Sequence, residues 1–216
     1  MTFLAFSGAA TRTYSPAGFL LIDAYTREPP AGRVSARIDR SDGIGGWIET
    51  DARGVITPSS VLAFPGLGRA RDPAAPPVTH RVRVEADLYR PMYRASADGV
   101  VFPVPPYNDA EPLTLPPPLF AQLLLLPAFH YQYPSHVRLL RGEVVHAAAP
   151  VSDALVTDSV FGTSVLTDER GAFTLPLPFL ADGVADTIDV SDRFGNTGAL
   201  TITFPAALAS GVLIPI

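Results

Sequence analysis

One pattern occurs twice in the chain, first as Glu49-Thr50-Asp51-Ala52-Arg53-Gly54-Val55-Ile56-Thr57-Pro58 and again as Leu166-Thr167-Asp168-Glu169-Arg170-Gly171-Ala172-Phe173-Thr174-Leu175. Both copies read Thr-Asp-x-Arg-Gly, followed by apolar residues and a Thr. Aspartate can bond to the backbone two residues on, and glycine adopts positive φ without steric cost. Between two apolar, Thr-rich segments, this pattern predicts a tight hairpin. We therefore interpret the acids, arginines and glycines of the two copies as structural hairpin turns and not as an active site: Asp51, Arg53, Gly54, Asp168, Arg170 and Gly171.

The segments around the two copies repeat as well. Before each copy, alternation of apolar and polar residues predicts two strands separated by a Pro-containing turn, at 19–23 and 33–38 and again at 137–145 and 154–157. After each copy comes another alternating strand, at 81–85 and at 187–190. A repeat of this length predicts two similar domains, which we place at 1–126 and 136–216 with a linker at 127–135.

The second half carries a family resemblance. The stretch from RGEVVHAAAPVSDALV to TDERGAFTLPLP resembles a carboxypeptidase regulatory-like domain, a small transthyretin-like (prealbumin-like) antiparallel β-sandwich. The positions that match that family's pattern are Gly142, Val144, Ala154, Val156, Thr167, Asp168, Gly171 and Phe173. The resemblance covers about residues 135–205 and implies an all-β chain made of two antiparallel transthyretin-like β-sandwich domains in tandem.

A second resemblance covers the whole chain. The stretches LLIDAYTREPPAGRVSARI and PLFAQLLLLPAFHYQYPSHVRLLRGEVV, in this order, resemble two-domain proteins of this kind that are encoded with bacterial phage-tail-like contractile injection particles. This resemblance implies a structural role beside other protein subunits.

Composition narrows the chemistry that the chain can perform. Its 216 residues are 47% apolar and include 23 prolines, which suits many short strands with punctuated turns and few long helices. There is no Cys, which excludes disulfides and thiolate chemistry. There is no Lys either, so Schiff-base chemistry, a phosphate-loop lysine and Lys–Asn isopeptide crosslinks are excluded.

Charge and hydropathy bear on the partners. The net charge of −5 is unevenly spread, since residues 1–100 carry twelve Arg against ten acids and residues 101–216 carry four Arg against eleven. This asymmetry is typical of a solvated surface and can also orient protein partners. The chain has no basic run, so we expect no nucleic-acid binding. The apolar stretch 119–126 is too short to span a membrane and predicts the last strand of the first domain.

Several segments are candidates for contacts with partners. Residues 1–7 are apolar and have no basic leader, so we expect no secretory signal. We therefore expect a cytoplasmic protein or one incorporated into a particle. Residues 1–7 themselves are expected to form a strand or an arm that is donated to a neighbour. Residues 59–79 are long for a loop, after which Tyr89 and Tyr93 flank a turn, and 101–118 form a Pro-rich extended end. The aromatic junction PAFHYQYPSH predicts packing between the domains. The candidate interface residues are Tyr89, Tyr93, Leu213, Ile214 and Ile216.

Catalytic patterns are missing from the sequence. No His is followed three residues later by Glu, as the zinc site of a carboxypeptidase requires, and neither a Gly-x-Ser-x-Gly elbow nor a Gly-rich phosphate loop occurs. The last four residues, Leu-Ile-Pro-Ile, differ from the Tyr-Arg-Gly-Ser ending of transthyretin-like hydrolases. His130 with His136 forms a weak candidate metal pair, and Asp182, Asp186, Asp189 and Asp192 form a weak candidate calcium cluster.

These observations favour a non-enzymatic structural or adaptor subunit of a larger bacterial assembly, of the phage-tail-like contractile injection type. We expect no cofactor and no metal, with other protein subunits or further copies of the chain as partners. The alternative is a carbohydrate- or peptide-binding β-sandwich module that uses the 59–79 loop, the edge at Tyr89 and Tyr93, and Trp47, which is the single tryptophan for sugar stacking.

Overall fold

The computed structural model describes residues 15–64, 67, 72, 74–93, 98–106, 119–177 and 182–216. Nine strands precede residue 128: β1 (Ala17–Asp23), β2 (Val34–Ser41), β3 (Trp47–Glu49), β4 (Val55–Ile56), β5 (Val61–Ala63), β6 (Val78–Ala86), β7 (Tyr89–Pro91), β8 (Val100–Val104) and β9 (Leu119–Pro127). The others follow residue 137: β10 (Arg138–His146), β11 (Ala149–Pro150), β12 (Leu155–Asp158), β13 (Ser164–Leu166), β14 (Ala172–Leu177), β15 (Ala185–Ser191), β16 (Thr197–Thr203), helix α1 (Ala206–Ser210) and β17 (Val212–Pro215).

The described part of the chain is all-β with several sheets, as the sequence predicts. In the first half, one sheet has the order β4-β5-β1-β9-β7 and the other the order β3-β2-β6-β8. In the second half, β10 lies between β14 and β17, with the short β11 extending the β14 side, and the other sheet has the order β13-β12-β15-β16. Strands predicted from alternation at 19–23, 33–38, 81–85, 137–145, 154–157 and 187–190 are confirmed.

Each half has its own hydrophobic core, to which both of its sheets contribute side chains. Phe19 of β1, Phe102 of β8 and Leu125 of β9 belong to the first core. Leu140 of β10, Phe173 of β14 and Ile188 of β15 belong to the second. The alternation that identifies these strands places every second side chain in one of the two cores, and burial of those apolar side chains is the main stabilising term of each half.

The strand order of the two halves matches. The sheet β3-β2-β6-β8 corresponds to β13-β12-β15-β16, and the run β5-β1-β9 corresponds to β14-β10-β17. The last strand of each run pairs in parallel with the first strand of its half, β9 with β1 and β17 with β10. The expectation of purely antiparallel sheets is therefore wrong at these two pairs, although all other strand pairs of the described residues are antiparallel.

The repeated Thr-Asp-x-Arg-Gly stretch is not a hairpin in either half. In the first half it joins β3 of one sheet to β4 of the other, and in the second half it joins β13 to β14 in the same way. Both copies are corners that carry the chain from one sheet to the other across the core. A hairpin would need its two strands to be hydrogen-bonded neighbours, and local sequence does not distinguish that case from a corner.

The second copy forms the tight turn that its sequence predicts. Asp168 Oδ1 accepts hydrogen bonds from the backbone N–H groups of Arg170, at 2.8 Å, and of Ala172, at 2.9 Å. Gly171 has φ of +73°, and a Cβ there would lie 2.5 Å from the carbonyl oxygen of Val144. Asp168 and Gly171 are therefore structural residues of this corner, while the side chain of Arg170 projects into solvent.

The first copy keeps the motif but not the geometry. The side chain of Asp51 is exposed and accepts no hydrogen bond from the described residues, and Arg53 beside it is exposed as well. Gly54 is needed for close packing, because a Cβ there would lie 2.5 Å from Leu62 Cδ1 and 2.9 Å from Phe64 Cε1. The same Thr-Asp-x-Arg-Gly pattern is therefore packed differently in the two corners.

Two further segments differ from expectation. The region 59–79 contains β5, which pairs with both β1 and β4, and the first two residues of β6, whereas residues 65, 66, 68–71 and 73 lie outside the described residues. Within 101–118, residues 101–104 belong to β8, whereas the Pro-rich part at 107–118 lies outside the described residues. Residues 1–7 lie outside them too. The stretch 119–126 is a strand of the first half, as predicted.

The contrast between the two corners gives a prediction. Asp168→Ala removes an acceptor for two backbone N–H groups and should lower the free energy of unfolding by about 1–2 kcal/mol. Asp51→Ala removes no such bond and should change it by less than about 0.5 kcal/mol. Urea denaturation of the two variants measures both values, and equal losses would contradict the assigned difference between the corners.

Candidate functional site

The carboxylate of Asp23, at the end of β1, organises the junction between the halves. Its side chain is only 2% exposed. Oδ2 accepts hydrogen bonds from the hydroxyls of Tyr131, at 2.7 Å, and Tyr89, at 3.2 Å. Oδ1 accepts from the backbone N–H of Tyr25 at 2.8 Å. A buried carboxylate is tolerated only where donors surround it, and these three donors meet that requirement.

A cluster of four tyrosines surrounds this carboxylate. The ring centroids of Tyr131 and Tyr133 are 4.6 Å apart, and Tyr25 lies 5.2 Å from Tyr133 in an edge-to-face contact. The Tyr133 hydroxyl donates to the carbonyl oxygen of Thr174, on β14, at 3.3 Å. Residues 127–135, which the sequence predicts as a linker, are therefore packed between the two halves, in agreement with the predicted packing role of the aromatic junction.

Burial determines the protonation of these tyrosines. It raises the pKa of Tyr131, and the hydrogen bond and negative charge of Asp23 raise it further. Burial also raises the pKa of Tyr133 and, with smaller effects from neighbouring groups, that of Tyr89. At neutral pH these phenols therefore remain protonated donors, which suits a structural network and does not suit a general base.

A second contact between the halves lies on the outer side of β9. Leu126 is 2% exposed although it belongs to neither core. Together with Leu124 it lines a cavity of about 240 Å³ whose opposite wall is formed by residues 161–164. Beside it, Arg90 Nη1 bonds to Asp153 Oδ1 at 2.6 Å. The apolar burial stabilises this contact more than the partly exposed ion pair, since such pairs contribute about 0–1 kcal/mol.

Two clefts follow the junction. One, of about 290 Å³, is lined by residues of both halves, including Arg90, Tyr93, Asp153 and Arg193. The other, of about 610 Å³, is lined by Tyr89, Phe129, His130 and the Asp168 corner. The guanidinium of Arg90 in the first cleft is already paired with Asp153, and both clefts are lined by residues of the two halves.

The candidate interface residues divide into buried and accessible ones. Tyr89 is 2% exposed and bonded to Asp23, so the expectation of an interface there is wrong. Tyr93 is half-buried, its hydroxyl accepts from the Val84 N–H at 2.7 Å, and burial raises its pKa to about 12. Ile214 is fully buried in the second core, which also corrects the prediction.

The remaining two interface candidates are accessible. Leu213 is 59% exposed on β17. Ile216 is half-buried, and its carbonyl oxygen lies 2.6 Å from His146 Nδ1. The apolar tail is therefore a closing strand, in which one residue in two faces outward.

Trp47, the residue proposed for sugar stacking, already contacts a cationic side chain of the protein. The guanidinium of Arg81 lies 4.6 Å from the ring centroid of Trp47. Arg81 and Arg83 also bind Asp39, at 2.7 Å and 3.1 Å. Burial of Asp39 raises its pKa, but the hydrogen bonds and charges of the two arginines outweigh this effect, so the pKa is lowered. The sequence did not single out this Asp39 cluster, which only the pairing of β2 with β6 brings together.

The weak metal candidates are not supported by the geometry. No group of three or more metal-binding side chains occurs among the described residues. The ring of His130 stacks edge-on against Phe129, with centroids 5.3 Å apart, and His136 is exposed. Asp182 and Asp189 are exposed, while Asp192 caps its own turn by accepting from the N–H groups of Phe194 and Asn196, each at 2.8 Å.

Asp186 instead forms a buried pair with Asp158, which sequence reasoning missed. Asp158 Oδ1 accepts from the N–H of Val160 at 2.8 Å, and Asp186 Oδ1 accepts from the N–H of Thr187 at 2.6 Å. Both Oδ2 atoms are buried, and neither accepts a hydrogen bond from the described residues. Burial raises the pKa of Asp186, the hydrogen bond from the Thr187 N–H offsets part of this rise, and the charge of Asp158 and a hydrogen bond to it raise the pKa further. A proton on Asp186 thus supplies the missing donor.

The Asp23 network gives a prediction for stability. Tyr131→Phe removes one donor from a buried carboxylate and should lower the free energy of unfolding by about 1–3 kcal/mol. Tyr25→Phe is the matched control, because Tyr25 packs on the same rings and its hydroxyl makes no hydrogen bond within the described residues. Thermal and urea unfolding measure both changes, and a Tyr131→Phe variant as stable as the control would contradict this role of the network.

The acid pair gives a prediction for pH dependence. Because the folded state raises the pKa of Asp186, the protonated pair is stabilising at pH below the ordinary aspartate pKa, and this stabilisation is lost as pH rises through the raised pKa. Asp186→Asn supplies a permanent donor, so its free energy of unfolding relative to wild type should grow with pH, by about 1.4 kcal/mol per unit of raised pKa.

The control for this pH series is Asp182→Asn, which changes an exposed carboxyl. Its stability difference from wild type should stay constant between acidic and neutral pH. Urea unfolding at a series of pH values measures all three proteins. An Asp186→Asn difference that is equally flat would show that Asp186 is ionised in the folded protein.

Comparison with known proteins leaves the family of this chain open. No family model matches the sequence, and no curated protein matches it. Among solved structures, the chain is similar to one titled "The Bacillus anthracis TIE protein", with 12% identity and a TM-score of 0.28. The match covers 94% of this chain and 33% of that one, so the chain spans about a third of the length of that protein. Within the described residues, no helix has the length and apolar character to cross a membrane.

Proposed function

We propose that the chain consists of two transthyretin-like β-sandwich domains in tandem and serves as a non-enzymatic structural or adaptor subunit of a larger bacterial assembly. The assembly we propose is a phage-tail-like contractile injection particle. The domain proposal is supported by the matching strand order of the two halves and by their two separate cores.

The observation that carries the adaptor proposal is the closing strand β17. It pairs with β10, no other strand of the described residues pairs with its second edge, and its outward-facing Leu213 is 59% exposed. A free strand edge with an apolar side chain is a common site for adding a partner's strand. Phe194, in the turn between β15 and β16, is 76% exposed and adds a second apolar contact on the same half.

The packed junction also supports an adaptor role. Residues 127–135 are held by the Asp23 network and by Tyr133, so the two halves present their surfaces at a defined spacing. A subunit that positions neighbours in a particle needs such a spacing, whereas a flexible tether would not provide it.

The test is recovery of the tagged protein from its native host under mild conditions, followed by mass spectrometry. The proposal predicts that sheath, tube or baseplate proteins are recovered with it. Leu213→Ser should reduce their recovery several-fold with unchanged melting temperature, and Val101→Ser, an exposed change on β8 in the first half, should not. Recovery of the wild-type protein alone, or with a glycan, would contradict an assembly role.

A further inference from the structure

The smaller of the two clefts at the junction lies on the outer face of the sheet β13-β12-β15-β16. Its floor is one row of that sheet, because the strand registers place Leu166, Leu155 and Ser191 side by side on β13, β12 and β15. Val156, the next residue on β12, belongs to the second core, so this row points away from that core. The floor of the cleft therefore faces outward from the second half.

The first half forms the other wall of the cleft with residues 90–93. Pro91 and Met92 line it together with Leu155 and Leu166. All four of these side chains are half-buried, so the two halves cover them without filling the space between them. The space that remains is about 290 Å³. Clefts with apolar walls at the meeting of two domains are a preferred place for small-molecule sites.

The volume of the cleft limits the size of a ligand. An apolar cavity of about 150 Å³ accommodates a benzene ring, so a space about twice as large admits a ring with a short chain, or about a dozen heavy atoms. Met92 can adapt to such a ligand, because its unbranched side chain is flexible and also lines the neighbouring cavity beside Leu126. The cleft is therefore suited to a compact ligand.

Two arginines line the cleft, one from each half. Arg90 belongs to β7, and Arg193 lies in the turn between β15 and β16. Arg90 donates through Nη1 to Asp153, at 2.6 Å. Arg193 forms no ion pair with the described residues, and its Cζ lies 5.1 Å from the ring centroid of Phe194. Since a guanidinium has five N–H donors, both arginines keep donors for an anion.

The two acids of the cleft already have donors. Asp153 accepts from Arg90 and from the hydroxyl of Ser152. Asp192 accepts from backbone N–H groups of its own turn and from the side-chain amide of Asn196. The guanidinium of Arg193 is thus the charged group of the cleft that lacks an opposite charge within the described residues. A carboxylate suits it, because the two groups can form two parallel hydrogen bonds.

We propose that this cleft binds a small amphipathic carboxylate. The apolar body of the ligand lies between Met92 on one side and Leu155 with Leu166 on the other, and its carboxylate is held by Arg193, with Arg90 beside it. Because both halves line the cleft, the bound ligand stabilises the contact between them. The proposal goes beyond the assembly role, which rests on β17.

The test is titration with hydrocinnamate, a benzene ring with a short carboxylate chain, followed by calorimetry and methyl NMR. The signals of Met92, Leu155 and Leu166 should shift and saturate, and that of Leu213 should not move. The neutral amide of the same compound should bind about tenfold more weakly, because it lacks the charge-assisted bonds. Arg193→Gln, an exposed change, should weaken hydrocinnamate by a similar factor and leave the affinity for the amide unchanged.

The matched control is Arg170→Gln, which removes an exposed arginine of the same half outside this cleft and should leave the affinity for hydrocinnamate unchanged. Equal affinity of the amide and the carboxylate, or equal losses in the two arginine variants, would overturn the assigned role of Arg193. Hydrocinnamate that causes no saturable shift at the cleft would overturn the site itself. Leu213→Ser, which tests the assembly role, should leave the titration unchanged, so the two proposals can fail separately.

Discussion

The structure depends on one buried carboxylate. Asp23 is the last residue of β1. Its carboxylate accepts hydrogen bonds from the hydroxyls of Tyr89, on β7, and Tyr131, which follows β9, and from a backbone N–H in the turn after β1. It therefore ties together both ends of the run β1-β9-β7 and the residues that lead to the second half. Without this acceptor, buried Tyr89 and half-buried Tyr25 and Tyr131 would lose a hydrogen-bond partner, and the cost of unsatisfied polar groups is what makes such a network specific.

The two halves of the chain share the order of their strands and differ in local detail. Both halves close with a strand that runs parallel to their first strand, and both pass between sheets at a Thr-Asp-x-Arg-Gly corner. In the second half, Asp168 stabilises that corner by accepting hydrogen bonds from backbone N–H groups. In the first half, Gly54 has no side chain and so leaves room for Leu62 and Phe64. The first half also has the extra strand β7, which provides Arg90 and Tyr89 for the junction.

Much of the fold could be predicted from the sequence, because alternation and turn residues are local signals. The predicted strands appear in the structure, the strand order of the two halves matches, and the aromatic junction packs as expected. The sheet membership of β3 and β4 could not be predicted, since Asp-x-Arg-Gly suits both a hairpin and a corner. The burial of Tyr89, the Asp158–Asp186 pair and the cation over Trp47 depend on strand registers between distant segments, which one sequence does not reveal.

We expect the junction around Asp23 and Leu126 to make the two halves one cooperative unit. Scanning calorimetry tests it most directly, by comparing the calorimetric with the van't Hoff enthalpy of unfolding. Our account predicts one transition with equal enthalpies for the wild-type protein, and two resolved transitions for Leu126→Asp, which places a charge in the buried contact between the halves. Two independent transitions in the wild-type protein would contradict it, because the halves would then fold without regard to each other.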